Sequence, residues 1–272
     1  MIDPFVRAGI TPDVNWDNPD MDALGLLQVV SEAYRSLQTF EAEALTIEES
    51  SYEGCLDHSE ERVRFAYAAP NLVRIEHPKR KGGITVSDGR DLHHYSAFGG
   101  GRYSKIPAPK RERLPGMFPP EHAAWGGGQG SFVFDRINER LSSTETLTPE
   151  TVVIGGLTMD CERASVTYEA PPYAAFLVAA SPIIFWVDTQ TRLIVRKEHE
   201  VTMKTPDGDL RTTKHSFTIT RFVVDQPIAP ETFTFERPND ALDISPLPGQ
   251  QICAVGIGGG GSFSGGEGKR LK

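Results

Sequence analysis

Long apolar runs, close cysteine pairs and an excess of basic charge are all missing from this sequence of 272 residues. No run reaches the roughly 18 apolar residues that would span a bilayer. Met1 to Arg35 lacks a basic start, an apolar stretch and a small-residue cleavage site in the order an export signal needs. That leaves a cytoplasmic home, or export directed by a signal outside this sequence. The 28 Lys and Arg against 37 Asp and Glu give a net charge of −9, which argues against broad nucleic-acid binding, because that relies on neutralising many phosphates. Cys55, Cys161 and Cys253 stand far apart with no CxxC, so zinc and thioredoxin-like sites are not indicated. One disulfide would leave one free thiol, and three separate thiols read equally well.

A catalytic set is missing too. His93 and His94 are adjacent on an expected strand and point to opposite faces, so they cannot ligate side by side. His199 and His215 fall on two arms of one hairpin, but no carboxylate or cysteine motif joins them, and no metal is expected there. Gly256, Gly258 and Gly261 satisfy GxGxxG inside a glycine run, without the preceding strand and following helix that give the motif meaning. Asp88-Gly89 and Asp188-Thr189-Gln190-Thr191 read as turns in which the acid bonds its own backbone. Lys79-Arg80-Lys81 and Lys110-Arg111-Arg113 read as solvated tips at opposite ends of a sheet. No cofactor, no metal and no catalytic residue is expected.

What is present is strand chemistry. Residues 1–19 have no period and read as a flexible arm. Asp20 or Asp22 caps a helix whose Leu24, Leu27, Val30, Tyr34 and Leu37 share one face. Strands are expected at Phe40–Glu48, Arg62–Ala68, Leu72–His77, Ile84–Ser87, Leu92–Phe98 and Arg102–Ile106, joined by turns too short for anything but antiparallel neighbours. Pro- and Gly-rich sequence from Pro107 to Pro149 encloses a segment with Phe134, Ile137 and Leu141 at helical spacing. It reads either as an inserted lid or as a helix plugging the core. Strands resume at Thr151–Ile154, Cys161–Glu169 and Ile183–Asp188. Leu193–Lys204 and Leu210–Val224 are expected to form the longest hairpin, with one wet face. The nearly uncharged stretch Tyr173–Phe185 reads as a buried strand or as an apolar loop at a cavity mouth, with burial the default. The folded domain is placed at 20–240, and 241–272 reads as a Gly/Ser-rich disordered tail.

The residues in excess of any polar constellation are Phe65, Tyr67, Ile75, Tyr95, Tyr103, Phe185, Phe217 and Ile219, with Phe134 and Ile137 from the insert. They suit an ordinary filled core, or an apolar cavity left by a sheet too curved to fill its own concave side.

Ala33-Tyr34-Arg35-Ser36-Leu37, Pro70-Asn71-Leu72-Val73-Arg74-Ile75-Glu76, and Ser87-Asp88-Gly89 with Tyr95 follow one another in order. Further on come Ile184-Phe185-Trp186-Val187-Asp188 with Thr191, and Ile228-Ala229-Pro230-Glu231-Thr232-Phe233-Thr234-Phe235. In order and spacing from Ala33 to Pro238 these resemble the LolA/LolB-type periplasmic lipoprotein carriers and their RseB-like relatives. The resemblance implies a mostly β (α+β) fold: an incomplete, strongly curved antiparallel β-barrel covered by an N-terminal helix and an inserted helical lid. It implies a periplasmic, non-enzymatic protein holding a lipid acyl chain or lipoprotein anchor in an apolar cavity, with an envelope protein as a further partner and no membrane span. Such carriers hold their lid with an arginine on the first strand, whereas Phe40–Glu48 contains none. That departure points to a broader lipid-binding or sensing role. The alternative is a regulatory or scaffold module with a filled core.

Overall fold

Residues 5–6, 21–78, 82–97, 100–125, 130–171 and 174–246 are described in the computed structural model. Asp22 opens the helix α1 (Ala23–Ser36), its Oδ1 accepting from Gly25 N at 2.8 Å and satisfying a donor that a helix start leaves bare. Leu27, Val30, Tyr34 and Leu37 are fully buried, while Leu24 in the first turn is exposed.

The strands are β1 (Phe5–Val6), β2 (Thr39–Tyr52), β3 (Cys55–Ala68), β4 (Leu72–His77), β5 (Gly83–Asp88), β6 (Asp91–Ser96) and β7 (Arg102–Pro107). After an insert of turns come β8 (Leu141–Ile154), β9 (Leu157–Tyr168), β10 (Leu177–Ala180), β11 (Ile183–Asp188), β12 (Ile194–Lys204), β13 (Leu210–Val224) and β14 (Leu242–Asp243). They form one sheet in the order β14-β7-β6-β5-β4-β3-β2-β13-β12-β11-β9-β8, with β1 beside β13 and β10 beside β12. Its two ends do not meet, so it is a half-barrel. All pairings are antiparallel except β1 with β13 and β14 with β7. The curvature is visible in the core. Phe65 on β3 and Phe185 on β11 lie four strands apart, which is about 19 Å on a flat sheet. Yet Phe132 stacks on Phe65, Phe118 packs on Phe185, and Phe134, next to both in the insert, also reaches Phe185.

The half-barrel agrees with expectation, but four details differ. Among the described residues the lid is not a helix: residues 135–138 form turns, Leu141 begins β8, and the helical pieces described in the insert are 3-10 turns at Arg111–Arg113 and Pro120–Trp125. Pro115, Pro119 and Pro120 break any longer helix there, and Leu141 is claimed by its pairing with Tyr168. The stretch Tyr173–Phe185 is not uniformly buried. Val178, Ala179 and Ala180 on β10 are exposed because β10 lies at an edge, beside only the far end of β12. The longest hairpin is β2–β3, whose polar outer halves hide the strand period. β8 starts ten residues before the expected Thr151, since its Ser-, Thr- and Glu-rich outer edge carries no apolar alternation. The expected tail begins at 241, and its first residues are described and carry β14; its remainder from 247 to 272, with Cys253 and the GxGxxG run, and Lys79-Arg80-Lys81 lie outside the described residues. Cys55 and Cys161 are free thiols, and burial pushes the Cys161 thiol up to about 12. Among the described residues no helix is long and apolar enough to cross a membrane.

Candidate binding site

Directly opposed residues share a face of a sheet, so the strand register assigns each side chain to the concave or the convex side. Phe65 opposes Ile75, and Tyr67 opposes Val73. Ile219 opposes Ala44, which opposes Val63. One row crosses four strands as Thr46, Phe217, Lys197 and Phe185. These rows line the concave face, because the side chains of the insert and of α1 lie on them. Tyr95 and Tyr103 oppose each other in the row of Ile84 and Glu76, which is the convex face. The C-terminal segment covers Tyr103 there, with Phe235 stacked on its ring at 5.6 Å and Arg237 at 5.0 Å. Tyr95 and Tyr103 therefore leave the set of concave candidates. Sequence could not separate them, because this end of the sheet is covered on both sides and polarity does not alternate.

The other eight candidates are gathered on the concave face by the insert, residues 108–140. Phe118, Phe132, Phe134 and Ile137 are fully buried. Phe132 stacks on Phe65 at 4.6 Å between ring centres and meets Phe217 edge-on at 5.3 Å. Phe134 meets Phe185 at 6.0 Å and Tyr34 at 5.5 Å. The insert closes on itself through Gly116, whose carbonyl accepts from Phe132 N and Val133 N at 2.8 and 3.0 Å. Both of its ends are tied to α1. Arg111 donates to the Tyr34 carbonyl at 3.3 Å, lies over the Tyr67 ring and pairs with Asp135 at 3.4 Å. Ser31 donates to the Asp135 carbonyl at 2.6 Å. Burial raises the Asp135 carboxyl, and Arg111 opposes that shift. Arg111 is thus turned inward, not the solvated tip its sequence suggests. Tyr34 completes the seam by accepting from Ile194 N at 3.2 Å.

The concave face is not uniformly apolar. Lys197 is 3% exposed and His199 is 6% exposed. The Lys197 ammonium lies over the rings of Phe217, Phe134 and Phe118 at 5.3, 5.5 and 5.8 Å, and no hydrogen bond or ion pair reaches it among the described residues. Burial pushes it down to about 7. His199 and His215 are stacked at 4.9 Å, and both ring nitrogens of His199 lack hydrogen-bond partners. Burial first, then the neighbouring charges, pushes His199 down to about 2 and His215 to about 4. The signal for this set was legible: on β12, Arg196, Glu198 and Glu200 face outward, which forces Lys197 and His199 onto the face of Val195 and Val201. Among the described residues, the one group of three side chains placed to share a cation is Asp88, Asp91 and His93 on the β5–β6 turn, away from these histidines. Asp88 there already accepts from Arg90 N and Asp91 N, the turn role expected of it.

A buried lysine with only aromatic faces for company destabilises the fold at neutral pH, since its unfolded form holds a proton that its folded form gives up. Lys197→Met is expected to raise unfolding stability by about 2–4 kcal/mol at pH 7. The unfolded lysine is protonated up to about 10.5 and the folded one only up to about 7, so wild-type stability should climb between those values and the variant's should not. Urea titrations across pH 7 to 10 check this, and equal curves would contradict it.

Two open depressions are found among the described residues. One of about 230 Å³ sits on the convex side among Glu41, Glu43, Arg64, Arg74 and Arg221, and one of about 310 Å³ sits at the hairpin ends beside Ser50, Tyr52, Cys55 and Arg211.

No protein-family model and no curated protein matches the sequence. Among solved structures, a DUF1329 family protein from Desulfovibrio piger is similar at 10% identity over 79% of this chain and 98% of its own, with a TM-score of 0.32. A LolA superfamily protein from Nitrosomonas europaea is similar at 10% identity over the same shares, with a TM-score of 0.31. MucB is similar at 14% identity over 79% of this chain and 62% of its own, with a TM-score of 0.39. One of these three is of the LolA superfamily, the kind of protein that the sequence motifs resemble.

Proposed function

We propose that this chain is a non-enzymatic, periplasmic binding protein whose concave sheet face receives an acyl chain, from a lipid or a lipoprotein anchor, in place of the aromatic side chains of the insert. The observation that carries this reading is that the face is sealed by three fully buried phenylalanines on a segment built of turns. Such a segment has few backbone bonds of its own to break, so it can leave the sheet while the strands stay paired. Re-exposing each phenylalanine costs roughly 2–3 kcal/mol, and each ligand methylene removed from water returns about 0.8 kcal/mol, so a chain of about a dozen carbons offsets the exchange. Neither depression described above lies on the row of Phe217, Lys197 and Phe185, so in this reading the insert moves aside to admit the chain. Protein purified under native conditions is expected to retain lipid by native mass spectrometry and to take up a fluorescent fatty acid. Finding neither lipid nor uptake would remove the reading.

A second reading has its own observation. Among the described residues β10 pairs with β12 alone, and Val178 on it and Phe176 just before it are 54% and 42% exposed. An extended segment of another envelope protein could add there as a strand. Retention of such a partner by a chain that takes up no lipid would favour the regulatory or scaffold role.

A further inference from the structure

Lys197 presents a question that the acyl-chain reading leaves open. Its neighbours across the sheet are Phe217 and Phe185, and above it lie Phe118 and Phe134 of the insert. The neighbouring row toward the hairpin tips holds His199, opposite His215, with Glu48 opposite His215 on β2. Glu61, at the β3 end of the Lys197 row, is already paired with His77 at 3.2 Å. No acid therefore stands next to Lys197 in its own row. A core needs neither an amine nor a ring with two unpartnered nitrogens in this place, and burying them without partners is unfavourable.

We propose that Lys197 and His199 form the anion-binding end of the concave face, holding the carboxylate of a long-chain fatty acid once the insert's phenylalanines have moved aside. The two side chains stand two residues apart on the same face of β12, about 7 Å along the strand, so one carboxylate set between them can accept from both. The ammonium supplies the charge and the imidazole supplies a neutral donor. The same phenylalanines that cover Lys197 are those an acyl chain would replace, so the polar end and the apolar tail of one amphiphile would both find matching groups. This deepens the acyl-chain reading and rests on it: the ligand class becomes an anionic amphiphile with a free carboxylate, and not any apolar chain.

The test compares hexadecanoate with its methyl ester and with hexadecanol, all displacing the same fluorescent probe from the full chain below their aggregation limits. A charge-assisted bond lost on esterification predicts that wild-type protein prefers the acid by at least about tenfold. Lys197→Met should bind all three within about threefold of one another, the ester about as tightly as wild type does. Equal binding of acid and ester by wild type overturns the anion site and leaves the acyl-chain reading standing. Binding of none of the three overturns both. Should the variant fail to fold, the wild-type comparison alone still decides.

Discussion

Gly116→Ala is expected to loosen the insert from the sheet. A methyl group at this position would come within 2.4 Å of Phe65 Cε2, with two more ring atoms at 3.1 and 3.2 Å. That ring cannot give way, because it is stacked on Phe132 and buried. The backbone here has φ +85°, which an alanine adopts at a cost of about 1–2 kcal/mol, and overpacking adds about 1–3 kcal/mol. Losses of about 2–5 kcal/mol in urea unfolding are therefore expected. If the insert is the seal over the ligand face, the variant should also take up a fluorescent fatty acid faster. Gly156→Ala provides the control, since φ is +86° there but nothing lies within 4 Å of the added carbon. It should cost only about 1 kcal/mol and leave uptake unchanged. Equal effects of the two substitutions would mean that backbone strain, and not the seat under Phe65, matters at Gly116.

Mild acid is expected to destabilise the fold through the stacked histidines. Unfolded histidine takes up its proton near 6.5, whereas His215 does so at about 4 and His199 at about 2 in the folded chain. Their neutral packing contributes stability that is complete above about 6.5 and is lost as pH falls through the folded values. Between about pH 6 and 4 each should remove close to 1.4 kcal/mol per pH unit. His94, half-buried beside Thr85 and also shifted downward by burial and by His77, adds in the same direction. Against a total stability of about 5–15 kcal/mol, two units of acidification are enough to approach unfolding. The doubly substituted His199→Phe, His215→Phe chain should show a visibly flatter acid limb in denaturant titrations. An unchanged slope would assign the proton uptake to other groups.

Much of the fold is legible in the residues because its signals are local. Asp22 before an apolar helical face, and short turns at Pro70-Asn71, Asp88-Gly89 and Pro206-Asp207-Gly208, follow from backbone chemistry that needs no distant partner. The same holds for Asp188, whose carboxylate accepts from Thr191 N and Oγ1 as its turn position implies. Where periodicity was asked to carry more, it failed in identifiable ways. Phe134, Ile137 and Leu141 have helical spacing, yet the sheet takes Leu141 and the residues before it form turns. Tyr173–Phe185 lacks charge, yet an edge position leaves part of it in water.

The sequence by itself determined an antiparallel, mostly β domain with a capping helix and an irregular insert, because strand alternation, helix caps and turn residues act within a few residues of one another. Only the tertiary structure decided which face each aromatic residue joins, since that depends on the register between strands and on which segments cover each side. It moved Tyr95 and Tyr103 to the convex side, turned Arg111 inward and filled the concave face with Phe118, Phe132 and Phe134. It also enclosed Lys197 and His199 without polar partners, a result that no local pattern sets, because burial is the sum of contacts brought from distant parts of the chain.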